Sequence, residues 1–144
     1  MAERTAHVTW SGSLTDGSGL IESTGSGAIE GLEVTWASRS EESESGRTSP
    51  EELIAAAHAA CFCMALSHGL AQAGNAPEKL DVTATSTFVP GTGITQMKLD
   101  VTGTVPGIDE AAFVEAAEGA RDNCPVSGAL KGNVEILLEA RLAS

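Results

Sequence analysis

Residues 48–72 read Thr-Ser-Pro-Glu-Glu-Leu-Ile-Ala-Ala-Ala-His-Ala-Ala-Cys-Phe-Cys-Met-Ala-Leu-Ser-His-Gly-Leu-Ala-Gln. They open with a helix-start signal. Ser49 can cap, Pro50 suits the first helical position, and Glu52 stands where a capping box places its acid. Beyond Glu52 the stretch is almost wholly small and apolar, which predicts a helix over 50–73 buried on most of its circumference. Gly74-Asn75-Ala76-Pro77 supplies the stop. Cys61 lies in the middle of this helix, and the other elements are expected to enclose it.

On either side the pattern changes to strands. Residues 5–14 partly alternate, Asp16-Gly17-Ser18-Gly19 is a turn signal, and 20–24 pairs back as a hairpin. A third strand is expected over 31–37, with Val34, Thr35 and Trp36. The polar run from Arg39 to Arg47 reads as an exposed loop. After the helix, 79–89 places Leu80, Val82, Ala84, Ser86 and Phe88 on one face. Residues 94–105 do the same with Met97, Leu99, Val101 and Gly103, and Pro90-Gly91-Thr92-Gly93 joins the two strands as a hairpin. Asp109 can cap a second helix over 110–122. Asn123-Cys124-Pro125 ends it and starts a short helix to about 130, because the residue before a proline disfavours the α region. Residues 133–142 close the chain as a strand. The expected class is α+β with antiparallel sheet, in a single domain spanning 1–144.

The charge balance, 8 Lys+Arg against 20 Asp+Glu, gives −12. Phosphate would be repelled, which argues against nucleic-acid and anionic-membrane partners. The first residues show no basic segment followed by an apolar run, and no window is read as approaching the ~20 apolar residues of a bilayer span. Three cysteines do not form a secreted disulfide framework. These features predict a cytoplasmic protein whose cysteines are kept for chemistry.

At about 100° per residue, Cys63 lies about 200° round the helix from Cys61, so a disulfide between them is disfavoured by direction. Cys63 reads as a small core residue. Ile54, Ala57, His58, Met64, Ala65 and His68 share the face of Cys61, as plain core or as one wall of a pocket. Cys124 precedes Pro125 at a helical start, where unpaired N–H groups favour a thiolate. On the residues alone, a Cys61/Cys124 redox pair competes with structural burial of both. His58, one turn from Cys61, leaves open a Cys–His nucleophile or a metal site, though no Cys-x2-Cys spacing supports the latter. Glu51 is about 15 Å from Cys61 along one helix, too far to touch it.

Pro50-Glu51-Glu52-Leu53-Ile54, Ala57-His58-Ala59-Ala60-Cys61-Phe62 and Cys124-Pro125-Val126-Ser127 together resemble the OsmC/Ohr family of thiol peroxidases. The likeness extends over Ala-His-Val-Thr-Trp near the start and Val-Pro-Gly-Ile-Asp before the second helix. The Ala-His-Ala-Ala-Cys-Phe wording and an arginine after the third strand are closer to the OsmC branch. The resemblance implies an intertwined homodimer with antiparallel sheets wrapped around central helices, and reduction of organic hydroperoxides without haem, metal or flavin. It implies that Cys61 is the peroxidatic cysteine, passing through a sulfenic acid, and Cys124 the resolving one. Arg39 would steady the Cys61 thiolate and Glu51 would hold that arginine. A Cys61–Cys124 disulfide would be recycled by a dithiol, in this family a lipoylated protein. The loop before Pro50 is longer and more acidic than the family's usual spacing, which leaves Arg47 as a second candidate arginine. Cys63 stands where a serine is common. A non-enzymatic peroxide sensor or binding module using the same cysteines is the alternative function.

Overall fold

A computed structural model describes residues 1–41 and 46–143, grouped in two compact units, Met1–Leu53 and Ile54–Ser144. In the first unit, β1 (Ala6–Ser11), β2 (Ser18–Thr24) and β3 (Glu30–Val34) form an antiparallel meander. A helical turn, α1 (Trp36–Ser40), comes next, and the two-residue β4 (Arg47–Thr48) adds parallel to β3. Trp10, Gly19 and Val34 stand in register across three strands. A Cβ at Gly19 would lie 2.7 Å from the Trp10 ring and 2.9 Å from a Val34 methyl, so only glycine lets those side chains close over the sheet.

The first unit corrects one expectation. Trp36 does not extend the third strand; it begins α1. Thr35 caps that turn: its hydroxyl accepts from the Ser38 N–H at 3.1 Å while Ser38 Oγ accepts from the Thr35 N–H at 2.9 Å. Two reciprocal cap bonds outweigh the weak β preference of Thr and Trp. Of the polar run read as a loop, Arg39 and Ser40 belong to α1 and Arg47 to β4, while 42–45 lie outside the described residues.

The chain then enters α2 (Pro50–Gln72), and the boundary between the units falls inside it, after Leu53. Its start carries half of the expected capping box. Ser49 Oγ accepts from the Glu52 N–H at 3.1 Å, but the Glu52 carboxylate takes the Thr48 hydroxyl instead of turning back to Ser49.

In the second unit, β5 (Lys79–Val89) and β6 (Gly93–Thr104) form the expected hairpin, with Met97, Leu99, Val101 and Gly103 buried. Two helices, α3 (Glu110–Asn123) and α4 (Pro125–Leu130), lead to β7 (Glu135–Leu142). Asp109 caps α3, its carboxylate accepting from the Ala112 N–H at 2.8 Å. β7 lies parallel to β6, and β4 parallel to β3, so both sheets are mixed rather than antiparallel. For β7 the cause is topological: the connection through α3 and α4 carries the chain back to the end of the sheet where β6 began, whereas a tight turn would send it back antiparallel.

The core joins Phe62, Leu66 and Leu70 of α2 to Leu99 and Val101 of β6 and to Phe113, Ala117 and Ala120 of α3. The buried positions of α2 in this unit, His58, Phe62, Leu66 and Leu70, recur every four residues and make one stripe. Burial over most of the circumference is therefore not found within the chain: Ala56, Ala57, Ala60, Met64, His68 and Gly69 are exposed. By length and composition α2 also reaches the minimum for a bilayer span, against the sequence expectation, although its buried stripe packs as core.

Candidate active site

The predicted site residues fall in two groups. In the first unit, the α1 cap fixes the direction of Arg39. Ser38 Oγ also donates to the Thr48 carbonyl at 2.8 Å, tying α1 to the segment that opens α2. Arg39 Nε then donates to Glu51 Oε1 at 2.9 Å. The Glu51 side chain is 7% exposed and sits in the first turn of α2, where the helix dipole favours an anion. Its Oε2 is buried without a hydrogen-bond partner. A carboxylate buried in this way is costly unless paired, so the arginine and the acid stabilise one another. Arg47 has a different acid, Glu33 on β3, at 3.3 Å.

The second group is Cys61 and Cys124. Cys61 comes from the middle of α2. Cys124 links α3 to α4 with extended dihedrals, and Pro125 is the first residue of α4. No protein side chain caps α4, but the Cys124 sulfur lies beside the N–H groups of Val126 and Ser127, the Ser127 hydroxyl and the Cys61 thiol. Burial alone would raise the Cys124 thiol. The Cys61 thiol, the Ser127 amide and hydroxyl, and the Val126 amide outweigh it and hold Cys124 below its ordinary range. Cys61 is pushed up, first by burial and then by its contact with Cys124, with the Val126 N–H pulling the other way. The two sulfurs share one proton environment, and within this unit the thiolate is favoured at Cys124.

Cys61 opens onto a cavity of about 830 Å³. Met64 and Ala65 of α2 form one wall, and Ala112, Ala116 and Ala120 of α3 the other. The sequence reading does not identify the second wall, although alanines four apart on one side of α3 are its signal. Cys63 lines a neighbouring groove with Leu80 and Lys79 of β5, and Met64 and His68 stand between that groove and the Cys61 cavity. Cys63 is half-buried rather than core, and burial and the Asp81 charge raise its thiol. Among the described residues, no group of three His, Cys, Asp or Glu could hold a metal ion. His58 turns from Cys61 to Ser127, with Nε2 2.7 Å from Ser127 Oγ.

The chain as a whole is similar to known proteins. The family model described as OsmC-like protein matches residues 42–139. The peroxiredoxin OsmC of Escherichia coli (strain K12) is 42% identical over 138 residues, covering 94% of this chain and 93% of that one. The organic hydroperoxide resistance protein of Xanthomonas axonopodis pv. citri is 32% identical over 97 residues, 63% of this chain and 65% of that one. The crystal structure of the organic hydroperoxide resistance protein OhrB of Bacillus subtilis superposes with a TM-score of 0.67 at 25% identity, covering 95% and 98% of the two chains. The chain belongs to the OsmC-like family, and stands nearer to OsmC than to the organic hydroperoxide resistance proteins.

Proposed function

We propose that this protein is a cysteine-based peroxidase that reduces organic hydroperoxides to alcohols. The observation that carries the reading is the Cys61–Cys124 contact at an apolar cavity. The Cys61 thiolate attacks one peroxide oxygen, the O–O bond breaks, and the alkoxide leaves as an alcohol after taking a proton. Cys61 becomes a sulfenic acid. Cys124 then attacks the Cys61 sulfur, a disulfide forms, and water is released. A dithiol reduces the disulfide by exchange; a lipoylated protein is the proposed donor. The alanine and methionine walls favour substrates with an alkyl body over hydrogen peroxide, at about 25 cal/mol per Å² of apolar area buried.

The Arg39–Glu51 pair supports the role of thiolate-stabilising cation, since its carboxylate is buried and aims the guanidinium, whereas Arg47 pairs with a half-exposed acid. Arg39→Ala is expected to raise the Cys61 thiol pKa and slow its reaction with peroxide by about ten- to a hundredfold. Thiol titration by iodoacetamide alkylation across pH checks this, and an effect from Arg47→Ala alone would move the role to Arg47. The exposed small-residue faces of α2 support a homodimer built on that helix; the proposed location, the cytoplasm, rests on the sequence features alone.

The whole scheme is tested by mixing reduced protein with cumene hydroperoxide and mapping disulfides by mass spectrometry. A Cys61–Cys124 bond is expected. A Cys61–Cys63 or intermolecular bond overturns it. Consumption of several equivalents per protein, with dihydrolipoamide present, excludes a sensor that reacts once.

A further inference from the structure

His58 is wholly buried, although histidine ordinarily keeps some contact with water. Its Nε2 is 2.7 Å from Ser127 Oγ, and its Nδ1 has no hydrogen-bond partner. Ser127 is buried too, in the first turn of α4, and its hydroxyl lies against the Cys124 sulfur. The three side chains form a line from the interior of α2 to the resolving thiol. The unpartnered Nδ1 sets the direction of that line. A proton on Nδ1 would be a buried donor with nothing to meet, whereas an unused lone pair there costs less. The ring proton therefore sits on Nε2, where it is given to Ser127 Oγ. That bond occupies a lone pair of the hydroxyl and leaves the Ser127 proton available to the Cys124 sulfur beside it.

We propose that His58 is a positioning residue for the resolving cysteine: through Ser127 it directs a hydroxyl proton at Cys124 Sγ and makes that sulfur the nucleophile of the disulfide-forming step. The inference rests on the peroxidase reading and adds a division of labour to it. Peroxide attack is prepared at Cys61, and resolution at Cys124, by separate groups. In the resolving step the Cys124 sulfur supplies the electron pair of the S–S bond, and the Cys61–OH bond breaks. Hydroxide leaves with that bond's electrons and takes up the proton that Cys124 gave up, so the products are disulfide and water. Ser127 and His58 keep their protons throughout; they stabilise the attacking thiolate by orientation. The same contacts favour Cys124 as the leaving thiolate when a reductant attacks the Cys61 side of the disulfide.

Reduced protein mixed with one equivalent of cumene hydroperoxide separates the two steps in time. Peroxide loss reports attack by Cys61. Dimedone trapping with mass spectrometry reports the sulfenic acid awaiting Cys124. His58→Leu and Ser127→Ala are expected to lower the disulfide-forming rate, relative to the peroxide-consuming rate, by about ten- to a hundredfold, with sulfenic acid accumulating. His58→Gln, whose amide N–H can stand in for the ring Nε2–H, is expected to recover most of that ratio. An unchanged ratio in Ser127→Ala, or a His58→Gln protein no better than His58→Leu, overturns the proposal while the wild-type disulfide still supports the peroxidase reading. A wild type that forms neither sulfenic acid nor disulfide overturns both. Peroxide consumption by each variant shows that its site has folded.

Discussion

Replacing Cys61 by serine is expected to lower catalysed turnover of cumene hydroperoxide by about three orders of magnitude or more, to the background rate. A serine hydroxyl keeps the shape of the site but is not ionised near neutral pH and is a poor nucleophile toward peroxide oxygen. Its effect should differ in kind from that of Cys124→Ser. There Cys61 can still react, so a burst of about one equivalent of peroxide is consumed before the sulfenic acid stalls for lack of a partner. Cys63→Ser is expected to leave turnover near that of the wild type, because Cys63 faces the β5 groove and not the cavity that holds Cys61. Peroxide consumption measures all three, with excess dihydrolipoamide for Cys61→Ser and Cys63→Ser and with no added thiol for the Cys124→Ser burst. Full activity in Cys61→Ser, or its loss in Cys63→Ser, contradicts the assignment.

The largest structural effect is expected at Phe113. Its ring is fully buried in the second unit, and a Cβ at Gly103 would overlap it. The ring fills the space that glycine leaves on β6. Phe113→Ala removes a buried aromatic and should cost about 3–5 kcal/mol. Gly103→Ala drives a methyl group into a rigid ring and should cost about 1–3 kcal/mol. Because each change acts on the same space, the double variant should be less destabilised than the two costs added: the new methyl enters room the ring has vacated. Urea unfolding followed by circular dichroism gives the three values, and strict additivity would contradict the contact.

Much of the fold is legible in the sequence because its signals are local. The α2 start, the turn at Gly74, the alternation along β5 and β6 and the Asp109 cap each rest on a few neighbouring residues, and the structure keeps all four. Strand direction is not legible. Alternation says which side chains face inward, and β7 alternates as well in either direction; only its place after two helices makes it parallel. Thr35 and Trp36 look like strand when β preference is weighed without the Thr35/Ser38 pair, a reciprocal cap written with serine in place of the usual acid. In the site, the Pro after Cys124 announces the helix start, and family likeness supplies the partner. The bond from His58 to Ser127 spans 69 positions, and no spacing rule reaches that far.

The parallel pairing of β6 and β7 also bears on how the molecule comes together. Cys124 lies inside the crossover that joins those strands, while Cys61 is carried on a helix made before either. Their meeting requires α3 and α4 to be laid down on the second unit, and long loops must close before such contacts return any free energy. The hairpin of β5 and β6 can form early from neighbours in the chain. Contact order therefore places the meeting of the Cys61 and Cys124 sulfurs after the hairpin, and an oxidant acting before that meeting would find Cys124 away from Cys61.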